Sequence, residues 1–215
     1  MTKQQFFTTV SPFTMTSKER IFDLFDCMEE IRLNNIDGDI VECGVWKGGN
    51  ILGIIEYLHF YKMQKNVWLF DTFNGMTQPE DVDIDLYNRH ARVQMSDTLV
   101  KALSPIEEVK QNLSLSSFPA EKLKFVIGDV SETLTNKENI PKKISLLRLD
   151  TDWYKSTKDE LHYLYPKLIN GGILIVDDYG HWQGSKKAVD EYFKENVEDF
   201  VKIDYTGIKL CKKQS

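Results

Sequence analysis

Five short apolar runs, each with a carboxylate at or near its end, constrain the fold of this chain more than any other feature: DIVECG, NVWLFD, KLKFVIGD, ISLLRLD and GGILIVDD. They do not alternate polar with apolar, so each predicts a strand buried on both faces, as in a parallel sheet covered by helices. Helical patterns follow them, in ILGIIEYLHFYKM, STKDELHYLYPKL and SKKAVDEYFKENV. The tail, DFVKIDYTGIKLCK, reads as two short strands around Thr206-Gly207, a hairpin signal. The expected fold is α/β, a mostly parallel seven-stranded Rossmann-like sheet with an antiparallel C-terminal hairpin edge and helices on both faces. Ligands of such a sheet sit at the carboxyl ends of its strands.

The 215 residues are 41% hydrophobic, which suits one domain over 1–215 with a substantial core. A capping box in TSKE (Thr16 with Glu19) followed by Ile21, Phe22, Leu24, Phe25, Met28 and Ile31 predicts a helix from about 17 to 34, within a helical extension over 1–36. The polar stretch PEDVDIDLYNRHARVQMSD predicts a long loop with some helix, and 76–104 is expected to be a lid or insert. The STKDELHYLYPKL helix is expected to be capped by Ser156 and closed by Asn170-Gly171.

A net charge of −6 with scattered lysines argues against nucleic acid, and no run approaches a membrane span. Cys27, Cys43 and Cys211 show no CxxC spacing, which argues against a disulfide framework or zinc cluster and for a reducing, cytoplasmic setting.

The strand-end acids are Glu42, Asp71, Asp129, Asp150 and the pair Asp177-Asp178. A helix cap accounts for Asp129 before SETL, but not for a double aspartate after ILIV. In VECGVWKGGN, Gly44, Gly48 and Gly49 let the backbone approach a ligand, and Asp71 about thirty residues on suits a ribose. Glu42 in the first turn would repel a pyrophosphate and attract the sulfonium and ammonium of S-adenosylmethionine. Asp150, Asp177 and Asp178 come from adjacent strands, with no fixed cation evident to neutralise them, and oxygen-only ligands suit magnesium. Asp152, on the same side as Asp150 if the chain stays extended, becomes a candidate base.

GDIVECGVWKGGN, LFDTFNGM, LLRLDTDWYKST and GGILIVDDYGHWQGSKKAVDEYF together resemble the macrocin O-methyltransferase family, from about residue 15 to 195. The resemblance implies a class I methyltransferase domain that uses S-adenosylmethionine and Mg2+ to methylate a sugar hydroxyl of a small molecule or glycan. It implies that Asp150, Asp177 and Asp178 hold the metal and that Asp152 is the catalytic base. Glu42, Gly44, Trp46, Gly48, Gly49, Asp71, Thr72, Phe73 and Asp150 match the cofactor pocket, with Asp129, Val130 and Ser131 beside the adenine. A homo-oligomer is implied as well.

Two rival readings remain at this level. DTD is also the DxD of metal-dependent nucleotide-sugar glycosyltransferases, and the fold can persist as an inactive binding module. Trp46, Trp153, Tyr154 and Trp182 each read singly as core aromatics and together as an acceptor wall. His181 reads as a satisfied loop histidine, and Glu80–Asp85 equally as a solvated loop or a lid.

Overall fold

The computed structural model describes residues 1–96, 101–194 and 199–213. Five parallel strands, β1 (Asp39–Cys43), β2 (Val67–Asp71), β3 (Leu123–Ile127), β4 (Ile144–Leu149) and β5 (Leu168–Val176), join β6 (Val201–Lys202) and β7 (Ile208–Cys211) in one sheet ordered β3-β2-β1-β4-β5-β7-β6. β7 runs antiparallel to both β5 and β6, the expected hairpin edge.

One face is covered by α1 (Lys3–Val10), α2 (Lys18–Leu33), α3 (Gly49–Phe60) and α5 (Ile106–Leu113); α4 (Ala91–Gln94) lies in the loop after β2. α6 (Val130–Thr133), α7 (Tyr154–Tyr163) and α8 (Gln183–Phe193) follow β3, β4 and β5 in the chain, and two apolar cores form, one on each face. The period of two then decides which polar side chains share a side. Ile40, Leu146, Ile173 and Ile175 belong to the α1–α3 core, so Glu42, Arg148, Asp150 and Asp177, at even spacing beyond them, emerge on that same side.

Several helix ends differ from the sequence reading. α2 is capped by Ser17, whose side chain accepts from the Arg20 backbone N–H, and not by Thr16. α7 begins at Tyr154, so Ser156 is inside it; its hydroxyl donates to the carbonyls of Thr151 and Trp153. The first N–H of α7 is met from a distance, by Asp83 Oδ1 at 2.8 Å. Asn170-Gly171 does not close a helix: α7 stops at Tyr163 and both residues belong to β5, whose pairing with β4 shifts register between Ile144 and Leu146. Residues 97–100 of the expected lid and 195–197 of the last expected helix lie outside the described residues.

Candidate active site

The chain leaves β1 through a turn in which Gly44 (φ +79°), Trp46 (φ +44°) and Gly48 (φ +79°) are all left-handed. A Cβ on Gly44 would stand 1.9 Å from the Asp150 carbonyl oxygen, and one on Gly49 2.6 Å from the Phe13 carbonyl oxygen. The close approach these glycines permit is therefore to the chain itself: Gly44 lets the ends of β1 and β4 meet, and Gly49 lets the N-terminal segment lie over α3. Asp71 ties the turn down. Its Oδ2 accepts from the N–H groups of Val45 (2.7 Å) and Trp46 (3.1 Å), and its Oδ1 from Phe73 (2.7 Å).

Two cavities open along the strand ends. The first, with about 730 Å³ of empty space, is lined by Trp46, Phe70, Asp71, Thr72, Met76 and Val130 among others. The second, about 1150 Å³, is lined by Arg20, Asp177, Asp178, His181, Trp182 and Tyr205 among others. Met15, Gly44, Trp46, Asp150 and Asp152 line both, so the cavities are two lobes of one cleft with these residues as the shared wall. Of the residues carried over to the cofactor pocket, Gly44, Trp46, Asp71, Thr72, Asp129, Val130 and Asp150 face the first lobe. Glu42, Gly48, Gly49, Phe73 and Ser131 line neither. Asp129 also caps α6, accepting from the Ser131 N–H at 2.8 Å.

The acids at the wall have a cation among them, which the sequence reading missed. Arg148, 2% exposed and register partner of Glu42, donates to Glu42 (2.6 Å), Asp150 (2.7 Å) and Asp177 (2.6 Å). Arg20 reaches over from α2, pairing with Asp177 and, at 2.9 Å, with Asp204 in the β6–β7 turn. The signal was present in the sequence: Arg148 interrupts an apolar strand two residues before Asp150, which places both on one face. Glu42 is thus held by Arg148 and Asn50 behind the cleft and does not present its charge to the first lobe. Its Oε2 and the Asn50 Oδ1 are buried without partners. Burial, moderated by Arg148, pushes the Glu42 carboxyl up to about 7, and a proton on Oε2 would turn that unpartnered oxygen into a donor.

Among the described residues, two guanidiniums do not neutralise the six carboxylates of Glu42, Asp150, Asp152, Asp177, Asp178 and Asp204. Asp150, Asp177 and Asp178 each offer an oxygen within 4.8 Å of the others. Burial, and then repulsion from the neighbouring acids, pushes the Asp152 and Asp178 carboxyls upward; burial and Asp150 take Asp177 to about 6 against the pull of the two arginines. Surplus negative charge on a set of hard oxygen donors is what a divalent cation such as magnesium relieves, so the residues present fit that ion.

Asp152 reaches the cluster in a way not expected. The chain does not stay extended: Asp152 is left-handed (φ +64°), the Trp153 N–H turns back to the Thr151 carbonyl at 2.7 Å, and the Asp152 N–H donates to Asp178 Oδ2 at 3.2 Å. A non-glycine residue held there is backbone strain of the kind found at functional sites. Because α7 has no side-chain cap and Asp83 meets its first N–H, helix capping does not explain Asp152.

Trp153 is core, 1% exposed, packed edge-on against Trp182 at 4.9 Å with its indole N–H on the Thr77 carbonyl. Trp182 and Trp46 line the cleft, whereas Tyr154 bonds Glu191 outside it. His181 is not satisfied: Nδ1 is buried without a partner, and the ring lies in the second lobe. The acidic stretch is solvated only in part: Glu80 and Asp81 are exposed, whereas Asp83 and Asp85 are both 0% exposed and bonded to backbone N–H groups.

This sheet order, with a glycine turn after β1 and a cleft across the strand ends, defines a Rossmann-like methyltransferase. The solved O-methyltransferase NovP has the same fold at a TM-score of 0.80 and 32% identity, over 94% of this chain and 83% of that one. A calicheamicin methyltransferase shares the fold at 21% identity and a TM-score of 0.70, over 97% of this chain and 90% of its own. The family model described as macrocin O-methyltransferase (TylF) matches residues 8–212. Demethyldecarbamoylnovobiocin O-methyltransferase of Streptomyces niveus is 34% identical over 91% of this chain and 74% of its own length. Mycinamicin III 3''-O-methyltransferase of Micromonospora griseorubida is 28% identical over 91% and 76%. The chain belongs to the macrocin O-methyltransferase family and is an S-adenosylmethionine-dependent O-methyltransferase. That membership overturns the glycosyltransferase reading of DTD. No described helix is long and apolar enough to cross a membrane.

Proposed function

We propose that the chain methylates a hydroxyl of a sugar, free or glycosidically linked, with the cation held by Asp150, Asp177 and Asp178 and the proton taken by Asp152. The observation that carries this reading is the shared wall of the two lobes. The first lobe, with Phe70, Met76 and Val130 in its wall and Asp71 and Asp129 at its polar side, suits the nucleoside of S-adenosylmethionine; the second, more polar and lined by Arg20, Asp177 and Asp178, suits a hydroxylated acceptor; Asp150 and Asp152 stand between them. A tetracenomycin-type 4'-O-methyltransferase of Streptomyces olivaceus, 30% identical over 91% of this chain and 74% of its own, carries a rhamnosyl group in the name of its substrate, which supports a sugar acceptor.

A sugar hydroxyl is a poor nucleophile at neutral pH. A bound magnesium would lower its pKa by stabilising the alkoxide. Asp152, raised toward neutrality by burial and by its acidic neighbours, is tuned to accept that proton. As the oxygen–carbon bond forms, the carbon–sulfur bond breaks opposite it, and the walls at Gly44 and Trp46 keep donor and acceptor in line. Arg148 and Arg20 fix the acids without entering the reaction.

A homo-oligomer and a cytoplasmic setting are proposed with this reading. The family habit supports the first, and the free thiols of Cys27, Cys43 and Cys211 support the second. Incubation with S-adenosylmethionine, Mg2+ and a panel of free and glycosidic hexoses and deoxyhexoses tests the acceptor. Release of S-adenosylhomocysteine dependent on one of these sugars is expected. No release with any of them, by protein that binds S-adenosylhomocysteine, would overturn the sugar assignment.

A further inference from the structure

Both oxygens of Asp177 are engaged by arginine, Oδ1 by Arg148 and Oδ2 by Arg20. The two arginines are not equivalent. Arg148 is sealed between β1 and β5 and tied to three carboxylates, so it cannot leave. Arg20 sits on α2, at the edge of the second lobe, and has another acid ready: its Nε already donates to Asp204 Oδ2, which also accepts from the Ser17 hydroxyl at 2.7 Å. Asp204 is rigidly held, its Oδ1 accepting from the N–H groups of Thr206 and Gly207. Arg20 can therefore give up Asp177 without becoming a buried charge with no partner.

We propose that Arg20 is a positioning residue acting through Asp177: it occupies the outer oxygen of that carboxylate as a built-in counter-ion, and a divalent cation entering at Asp150, Asp177 and Asp178 displaces it onto Asp204. This rests on the metal reading above and goes beyond it, because it assigns a competitor to the site.

The test is Mn2+ affinity, by calorimetry and by the paramagnetic resonance signal of free Mn2+, in wild type, Arg20→Gln and Arg20→Lys at saturating S-adenosylhomocysteine. Removing a like charge from beside the site tightens Mn2+ about three- to tenfold in Arg20→Gln, a direction that structural damage does not produce. Arg20→Lys, folded and still cationic but unable to span both acids, tightens less. Unchanged or weaker Mn2+ binding in both variants, with clear binding by wild type, overturns the competitor role and leaves the metal site standing. Absence of Mn2+ binding in all three chains overturns the metal reading itself, and this inference with it.

Discussion

Asp83 and Asp85, on the loop after β2, are fully buried, whereas Asp150 at the end of β4 keeps about a quarter of its side chain exposed (26%). Burial alone would mark the loop pair as the functional one. Their partners say otherwise. Asp83 accepts from the backbone N–H groups of Glu80 and Tyr154 and packs against Gly184, where a Cβ would stand 1.8 Å from its Oδ1. Asp85 accepts from Tyr87 and Arg89 and pairs with the Arg89 side chain at 2.7 Å. These two acids have donors for their charge and knit the loop onto α7 and α8. At the strand ends, acids face acids and two arginines fall short of the charge; burial raises Asp83 as it raises Asp177 and Asp178, but only at the strand ends does repulsion from neighbouring aspartates add to it. The difference teaches that unmet charge, more than depth, separates a chemical carboxylate from a structural one.

The largest effect that would sharpen this contrast is expected at Asp152. Asp152→Asn should lower kcat by about 10²–10⁴-fold with Mn2+ and S-adenosylhomocysteine affinities nearly intact. Retention of most of kcat, or loss of metal affinity in step with activity, would remove it from the chemistry. Next is the loop. Asp83→Ala strips acceptors from two backbone donors and should cost about 2–4 kcal/mol of stability, read by denaturant titration, while Mn2+ binding stays unchanged. A large loss of metal affinity with little loss of stability would merge the two acid groups into one.

How much of this was legible in the sequence follows the range of each interaction. Continuous apolar runs named the five parallel strands, and the strand–helix–strand order placed Asp150 near Asp177, because both signals lie in short contiguous stretches of sequence. Arg148 was legible in principle, since it shares a face with Glu42 and Asp150, but it hides inside a run that reads as apolar. The cap of α7 was not legible. Its acceptor, Asp83, lies 71 positions away from Tyr154, and no local pattern announces it. Thr16 was misread for a related reason: it fits a capping box, yet Arg148 and Asn50 recruit its hydroxyl while Ser17 takes the cap. The bend at Asp152 was also invisible, because its left-handed backbone is held by Asp178 and by the turn into α7.

A smaller effect is expected at Asp71, whose oxygens pin the turn against the first lobe. Asp71→Ala should weaken S-adenosylhomocysteine binding by about 1.5–3 kcal/mol, and an unchanged dissociation constant would contradict its role there. The smallest is the pH dependence of the metal-free protein. Glu42 (about 7) and Asp177 (about 6) are raised above their unfolded values, so the folded state binds more protons than the unfolded state from about pH 4 to 7. Their protonated forms favour folding at low pH, and that contribution fades as pH rises through 6 to 7. Metal-free protein should therefore be more stable at pH 5.5 than at 7.5, by about 1–2 kcal/mol, with Mg2+ shrinking the gap. The opposite slope would mean that the arginines already satisfy the acids.

The most direct test is calorimetric titration of Mg2+ into the S-adenosylhomocysteine complex of wild type, Asp178→Asn and Asp83→Asn, with turnover followed in EDTA. One Mg2+ site should appear in wild type and Asp83→Asn and vanish in Asp178→Asn, and turnover should stop in chelator and return with Mg2+. Full turnover in EDTA, or an undiminished site in Asp178→Asn, would contradict the assignment of the strand-end acids to a metal.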